Sequence, residues 1–134
     1  MANVMFPLGR EGFLDGTIDW DTGDMRTMLV KSTYTYDAAD KFLSDLGAVD
    51  NGRSASLGSK TVALGVADAA DTTITAISAV ACNALIVFQH TGSDATARLI
   101  CYIDTPTSGL PFTPSVSQVV SVAWNNGADK IFTL

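Results

Sequence analysis

Between Met1 and Gly16 the apolar residues follow neither a helical nor a strand period. Met5, Phe6, Leu8, Phe13 and Leu14 are scattered among Gly and Pro. Such a stretch predicts an extended N-terminal arm, residues 1–16, that lays its apolar side chains on a neighbour or on its own domain. Met28, Leu29 and Val30 then form the apolar centre of a strand over 25–31. Within "TYTYDAADKFLSDLG" the period lengthens. Asp37 is placed to cap a helix, Phe42, Leu43 and Leu46 share one side, and Asp40 adds negative charge to the first turn. Gly47 offers a left-handed stop, so the spacing predicts one short α-helix over about residues 37–46.

Beyond it, "GAVDNGRSASLGSK" is a loop by composition, with Asn51-Gly52 as a tight turn. From Thr61 onward strand formers dominate: "TVALGV", "TTITAIS", "NALIVFQ", "ARLICYID", "SQVVSVAW" and "KIFTL". The "WNNGADK" stretch, residues 124–130, reads as a hairpin connection joining the last two. Short strands at this spacing predict a mainly β fold, a compact antiparallel β-sandwich or small barrel. The arm (1–16) and one β-rich domain (17–134) account for the chain.

Composition narrows the function. The chain has 134 residues, 47% of them apolar and 16% charged. That charged share is well below the ~25% typical of soluble domains, as in a component that covers part of its surface with partners. Net charge is −6, and the eight basic residues are dispersed without a stripe. Phosphate binding relies on clustered Lys and Arg, so neither nucleic acid nor an anionic membrane surface is expected as a partner. No apolar run reaches the ~20 residues that span a bilayer. The opening "MANVMFPLGREGF" lacks the basic start and apolar segment of a signal peptide, and assembly in a cytoplasm is expected.

Several clusters invite a chemical reading. His90, the only histidine, lies close to Ser93 and Asp94. A hydrolytic triad, however, draws its members from separate rigid elements, whereas "HTGSDAT" is turn material between two apolar runs. If those runs pair with His90 facing Arg98, Cys101 lies opposite Val87 and Cys82 falls well out of register, too far for a disulfide. One histidine and two cysteines do not complete a zinc site. Asp19 and Asp21 alternate like calcium ligands, but Gly23 precedes Asp24 where the order should be reversed, and Val30 stands where a bidentate glutamate is required. Trp20, Trp124, Tyr34 and Tyr36 could form a sugar-stacking platform, although packing is the default for large aromatics at strand ends. Leu110 and Phe112, between prolines in "SGLPFTP", form an apolar loop suited to contact. No catalytic residue, cofactor or metal is expected, and the chain does not read as an enzyme.

The order of segments carries a resemblance. "YTYDAADKFLSDL", "TVALGVADAADTTITAI", "ALIVFQHTGSDATARLICYIDT", "GLPFTP" and "VAWNNGADKIFTL" together resemble a family of small virion proteins of tailed bacteriophages, over roughly Trp20 to Leu134. The resemblance implies a compact, mainly β structural protein without enzymatic activity. Small size, absence of a fibre-like repeat and an apolar arm favour a head decoration (cement) protein on the outer surface of the major capsid lattice. The major capsid protein and further copies of this chain are the expected partners, with a homotrimer as the natural guess at a lattice three-fold. Phe6, Leu8, Phe13 and Leu14 are the expected arm contacts, and Leu110 and Phe112 a second patch. The alternative is a tail-associated or fibre protein that contacts the host surface, in one form by carbohydrate binding. Removal of residues 1–16 is expected to leave a folded domain.

Overall fold

The longest apolar runs of the sequence lie side by side in space. In this computed structural model, which describes residues 3–128 and 130–134, strands β2 (Met25–Lys31), β7 (Cys82–Gln89) and β8 (Arg98–Ile103) form an antiparallel ladder. β3 (Asp50–Arg53) pairs with β2 at one edge, and the short β1 (Val4–Met5) pairs with β8 at the other. The resulting five-stranded sheet has the order β1-β8-β7-β2-β3. Side chains of β7 divide between the faces: Cys82 and Val87 enter one core cluster, Ala84, Ile86 and Phe88 the other. Both faces are therefore buried, and this is why the strands read as continuous apolar runs rather than as alternating ones.

Two smaller sheets cover the first face. One joins β4 (Thr61–Ala63), β5 (Val66–Asp68) and β10 (Phe132–Thr133) in the order β10-β5-β4; the other pairs β6 (Thr72–Thr75) with β9 (Val119–Val122). They bring Ala67, Ile74, Val122, Trp124 and Phe132 onto Met25, Leu29, Val87 and Ile100. The second face is closed by irregular chain carrying Tyr34, Leu43, Leu46 and Val49, together with Phe6. The protein is mainly β, with several antiparallel sheets stacked as in a small sandwich and no closed barrel among the described residues.

The β7–β8 register places Val87 opposite Cys101, as expected. One step further it shifts, so that Gln89, and not His90, faces Arg98. The shift leaves Ile100 as an extra residue, a bulge that turns both Ile100 and Cys101 toward the same core.

Four expectations are corrected. The α-helix lies at Pro7–Leu14 (α1), and of the predicted 37–46 helix only a 3₁₀ turn, Leu43–Leu46, forms. The reason is competition for the backbone. The Asp45 carboxylate accepts the amides of Lys41 and Phe42 at 2.9 and 2.8 Å, while the Leu43 amide donates to Ala97 and the Lys41 carbonyl accepts from Leu99. The segment is thus tied laterally to β8, which overrides its helical spacing. Conversely, α1 has a favourable proline start but holds two glycines in eight residues, a poor composition for a helix interior. Its glycines serve proximity: a Cβ at Gly9 would lie 2.5 Å from the Leu99 carbonyl oxygen, and one at Gly12 would meet Ile18 and Arg98. A guanidinium N–H of Arg98, which is buried, donates to the Leu8 carbonyl and fastens the helix to the sheet.

Second, residues 3–16 are no extended arm. Met5 and Phe6 are core residues, and the Phe6 amide donates to Ile100 at 2.9 Å; Met1 and Ala2 lie outside the described residues. Third, Asn51-Gly52 is not a tight turn but part of β3. Gly52, at φ 129°, lets the Thr75 carbonyl approach where a Cβ would stand 2.4 Å away. The Asn51 side chain is buried and binds Ser78 through its amide and carbonyl. Fourth, residues 124–130 do not join a hairpin: β9 pairs with β6 and β10 with β5. The Trp124 amide donates to the Asp71 carboxylate and its indole N–H to the Ala70 carbonyl, steering the chain from one small sheet to the other; Asp129 lies outside the described residues.

These contacts reverse the expected effect of truncation. Removal of residues 1–16 takes away β1, α1 and the fully buried Phe6, and should abolish the cooperative thermal transition. The milder Phe6→Ala should fold but lose about 3–5 kcal/mol in a denaturant titration.

Candidate functional site

The His-Ser-Asp cluster resolves into scaffold. Asp94 does not orient His90: both carboxylate oxygens accept from Arg53, at 2.9 Å each, and Arg53 also donates to Asp50 at 2.7 Å. The Arg53 guanidinium lies over the Phe88 ring, 5.6 Å from its centroid. The hydrogen bonds from Arg53 hold the Asp94 carboxyl below the usual carboxylate range. The Ser93 carbonyl accepts from the amide and hydroxyl of Thr96 and from the Thr91 hydroxyl, and the His90 amide donates to Asp24. Thus each member serves the loop or the strand end.

The acidic segment is likewise a set of turns. The Asp19 carboxylate accepts the Thr22 hydroxyl at 2.7 Å and the amides of Asp21 and Thr22, and the Thr22 hydroxyl is the main cause of its lowered pKa. Asp24 forms a two-point pair with Arg26. Among the described residues no three His, Cys, Asp or Glu side chains converge as a metal site would require. Cys82 and Cys101 are both buried and free, and burial raises the Cys101 thiol to about 12. Trp20 and Trp124 are buried too, so neither ring faces solvent as a stacking platform.

The six expected contact residues separate. Phe6 is committed to the core and Leu8 is half-buried. Leu110 and Phe112 are half-buried against the first core cluster, and Phe112 exchanges two backbone hydrogen bonds with Cys82. Phe13 is half-buried but stacks on Phe132, with ring centroids 5.7 Å apart. Leu14 alone projects, at 86% exposure.

Phe13 and Leu14 lead to a corner that the sequence does not announce. Val62 pairs with Ala67, and Ala67 with Phe132, so these three form one row across the β10-β5-β4 sheet. Phe132 meets the Trp20 ring edge-on at 5.2 Å. The sheet extends past this support. Val62 and Leu134 overhang, and together with Phe13, Gly16, Ile18 and Trp20 they enclose an open apolar pocket of about 330 Å³. Leu134 is held by its amide, which donates to the Gly65 carbonyl at 2.8 Å.

Leu64 is the anomaly at this corner. "TVALGV", read from its sequence as one short strand, is a hairpin: Ala63 pairs with Val66, leaving Leu64-Gly65 as a two-residue loop. Both loop residues have positive φ, 53° and 80°, which defines a type I′ turn. The first position of that turn ordinarily holds Asn, Asp or Gly, because a bulky side chain there costs about 1–2 kcal/mol. Leu64 is also wholly exposed, so it recovers nothing by burial within the chain. The hairpin is hidden in the sequence because Leu replaces the turn signal that Asn-Gly would give.

Leu64→Asn should raise stability by about 1 kcal/mol in a denaturant titration by relieving the turn. Asp94→Asn should flatten acid denaturation. The wild-type pair contributes above the ordinary carboxylate pKa and is lost as pH falls through the depressed one, so the two proteins should converge at low pH. Because Asp94 is half-exposed, their gap at neutral pH should be no more than about 1 kcal/mol.

Set against known protein families, curated proteins and solved structures, the chain matches none of them.

Proposed function

We propose that this chain is a non-enzymatic virion protein of a tailed bacteriophage, a head decoration protein that adheres to the outer face of the major capsid lattice through the Leu64 corner. The observation that carries an adhesive role is the placement of Leu64, strained in backbone and fully exposed, in the same hairpin as exposed Val62 and next to the Gly65 that holds exposed Leu134. A residue that destabilises the free fold twice over is explained when a partner covers it. The phage assignment itself rests on the resemblance of segments between Trp20 and Leu134.

Adhesion by so small a surface works by repetition. Burying one leucine side chain contributes about 1.5–3 kcal/mol, and ordering costs reduce this. On a regular lattice each copy needs only a modest interface, because geometry presents every site in the same orientation. The acidic balance, net −6, suits an outer surface away from packaged DNA. Placement on a tail needs no different chemistry of the corner, but the glycan variant loses its basis with Trp20 and Trp124 buried.

Purified particles lacking the protein provide the test. Wild-type protein should saturate the head surface, seen by labelled electron microscopy, and Leu64→Asn should bind about tenfold more weakly for ~1.4 kcal/mol lost while melting no lower. Undiminished binding by Leu64→Asn, or label confined to tails, would refute the reading.

A further inference from the structure

A second surface differs in kind from the Leu64 corner. The β6–β9 sheet has two strands, and they are not equally covered. On the β6 side, β3 lies close: the Ile77 amide donates to the Asn51 carbonyl at 3.1 Å, and Gly52 abuts the Thr75 carbonyl. On the outer side of β9 no strand pairs among the described residues. The Ala76 amide donates to the Gln118 carbonyl at 2.8 Å, which fixes the phase of the ladder. Antiparallel strands bond inward at every second residue, so Val120 and Val122 face β6. The amides and carbonyls of Val119, Ser121 and Ala123 therefore point away from the sheet.

An open edge of this sort is normally blunted by charge, proline or shortness. The other edges here conform to that rule. β1 and β10 have two residues each, β3 carries Asp50 and Arg53, and Lys60 precedes β4. β9 has no such protection. The chain holds no charged residue from Thr105 to Ala128, and none from Thr72 to Gln89, a span that includes the partner strand β6. The nearest proline, Pro114, is buried and lies before the strand. Exposed apolar side chains belong to the strand or shortly precede it: Val119 at 61% and Val116 at 63%.

We infer that β9 pairs antiparallel with β9 of a second copy of this chain, about a two-fold axis at Ser121. The edge is self-complementary in that register: Ser121 bonds reciprocally with Ser121 of the second copy, and Val119 with Ala123 in both directions. Charge selects the same place. Two copies of net charge −6 repel over most of their surface, and at the β6–β9 edge the one nearby carboxylate, Asp71, lies on the β6 side just before that strand, where it accepts the Trp124 amide. This pairing uses none of the residues of the Leu64 corner and does not depend on what that corner binds. A two-fold pair also differs from the trimer expected at a lattice three-fold.

Sedimentation equilibrium of the full chain should give twice the chain mass, and Val119→Lys and Ser121→Pro should each halve it with the melting curve retained. Proline is admissible at Ser121 because the amide it removes points outward. Cysteine substitution tests the register even if those variants fold poorly. Facing residues in such a pair stand about 5.5 Å apart, within disulfide reach, so Ser121→Cys should crosslink under diamide. Val119→Cys should not, since the two copies of residue 119 lie about 13 Å apart along the strands. The native cysteines, both buried, leave the assay clean. Leu64→Asn should keep the doubled mass. A single-chain or triple mass at the highest soluble concentration, persistence of the dimer in both edge variants, or equal crosslinking at 119 and 121 would overturn the inference. Loss of the dimer in Leu64→Asn would do so as well, by moving the interface to the other corner.

Discussion

The β2–β7–β8 ladder is apolar on both faces, and a chain of 134 residues must find two covers for it. The remaining elements are those covers. The small sheets, with Trp20 and Trp124 at their margins, close one side, and the irregular chain from Tyr34 to Val49 closes the other. Burial on two faces also explains the backbone wiring of segment 41–46. A cover without strand pairing of its own has to place its amides and carbonyls on β8 or on its own carboxylates. Phe6 fills the space that this irregular cover leaves, which makes the N-terminal segment part of the core.

What could be read from sequence came from one kind of signal. Dense β-branched and apolar runs identified β2, β7 and β8, and counting from the turn placed Val87 opposite Cys101. The count slipped by one at Gln89 because a bulge at Ile100 has no compositional mark. The helix was misplaced for the opposite reason. The 37–46 stretch has good spacing, but its Asp side chains take nearby amides and its backbone finds tertiary partners, whereas α1 has poor propensity and survives because Gly9 and Gly12 admit it against β8. Local preference decides little where long-range hydrogen bonds are available. The Leu64 corner was illegible because its turn uses the wrong residue, and that mismatch becomes informative only once φ is known.

Charge and apolar surface are distributed by region. The carboxylates of Asp15, Asp19, Asp24, Asp37, Asp45 and Asp94 are engaged by turn amides, hydroxyls or arginines. The two small sheets, by contrast, hold most of the large exposed apolar residues: Val62, Leu64, Ile77, Val119 and Leu134 lie in them or directly beside them. The five-stranded sheet serves as the fixed frame, and the covering sheets on its first face carry most of the exposed apolar surface. In the proposed reading, stability and adhesion fall to different layers of one small fold.

The two thiols extend this division into time. Cys101 sits within β8, fully enclosed, while Cys82 opens β7 beside the Phe112 bridge. A thiol with a raised pKa and no access to solvent cannot meet a reagent until the protein opens around it. The Cys82 sulfur lies against the Asn51 amide and the Val80 carbonyl, whereas Cys101 stands in mid-sheet between Met5 and Val87. Each thiol thus reports on opening of the fold around it, and a partner that tightens the covering layer would slow the reaction of both.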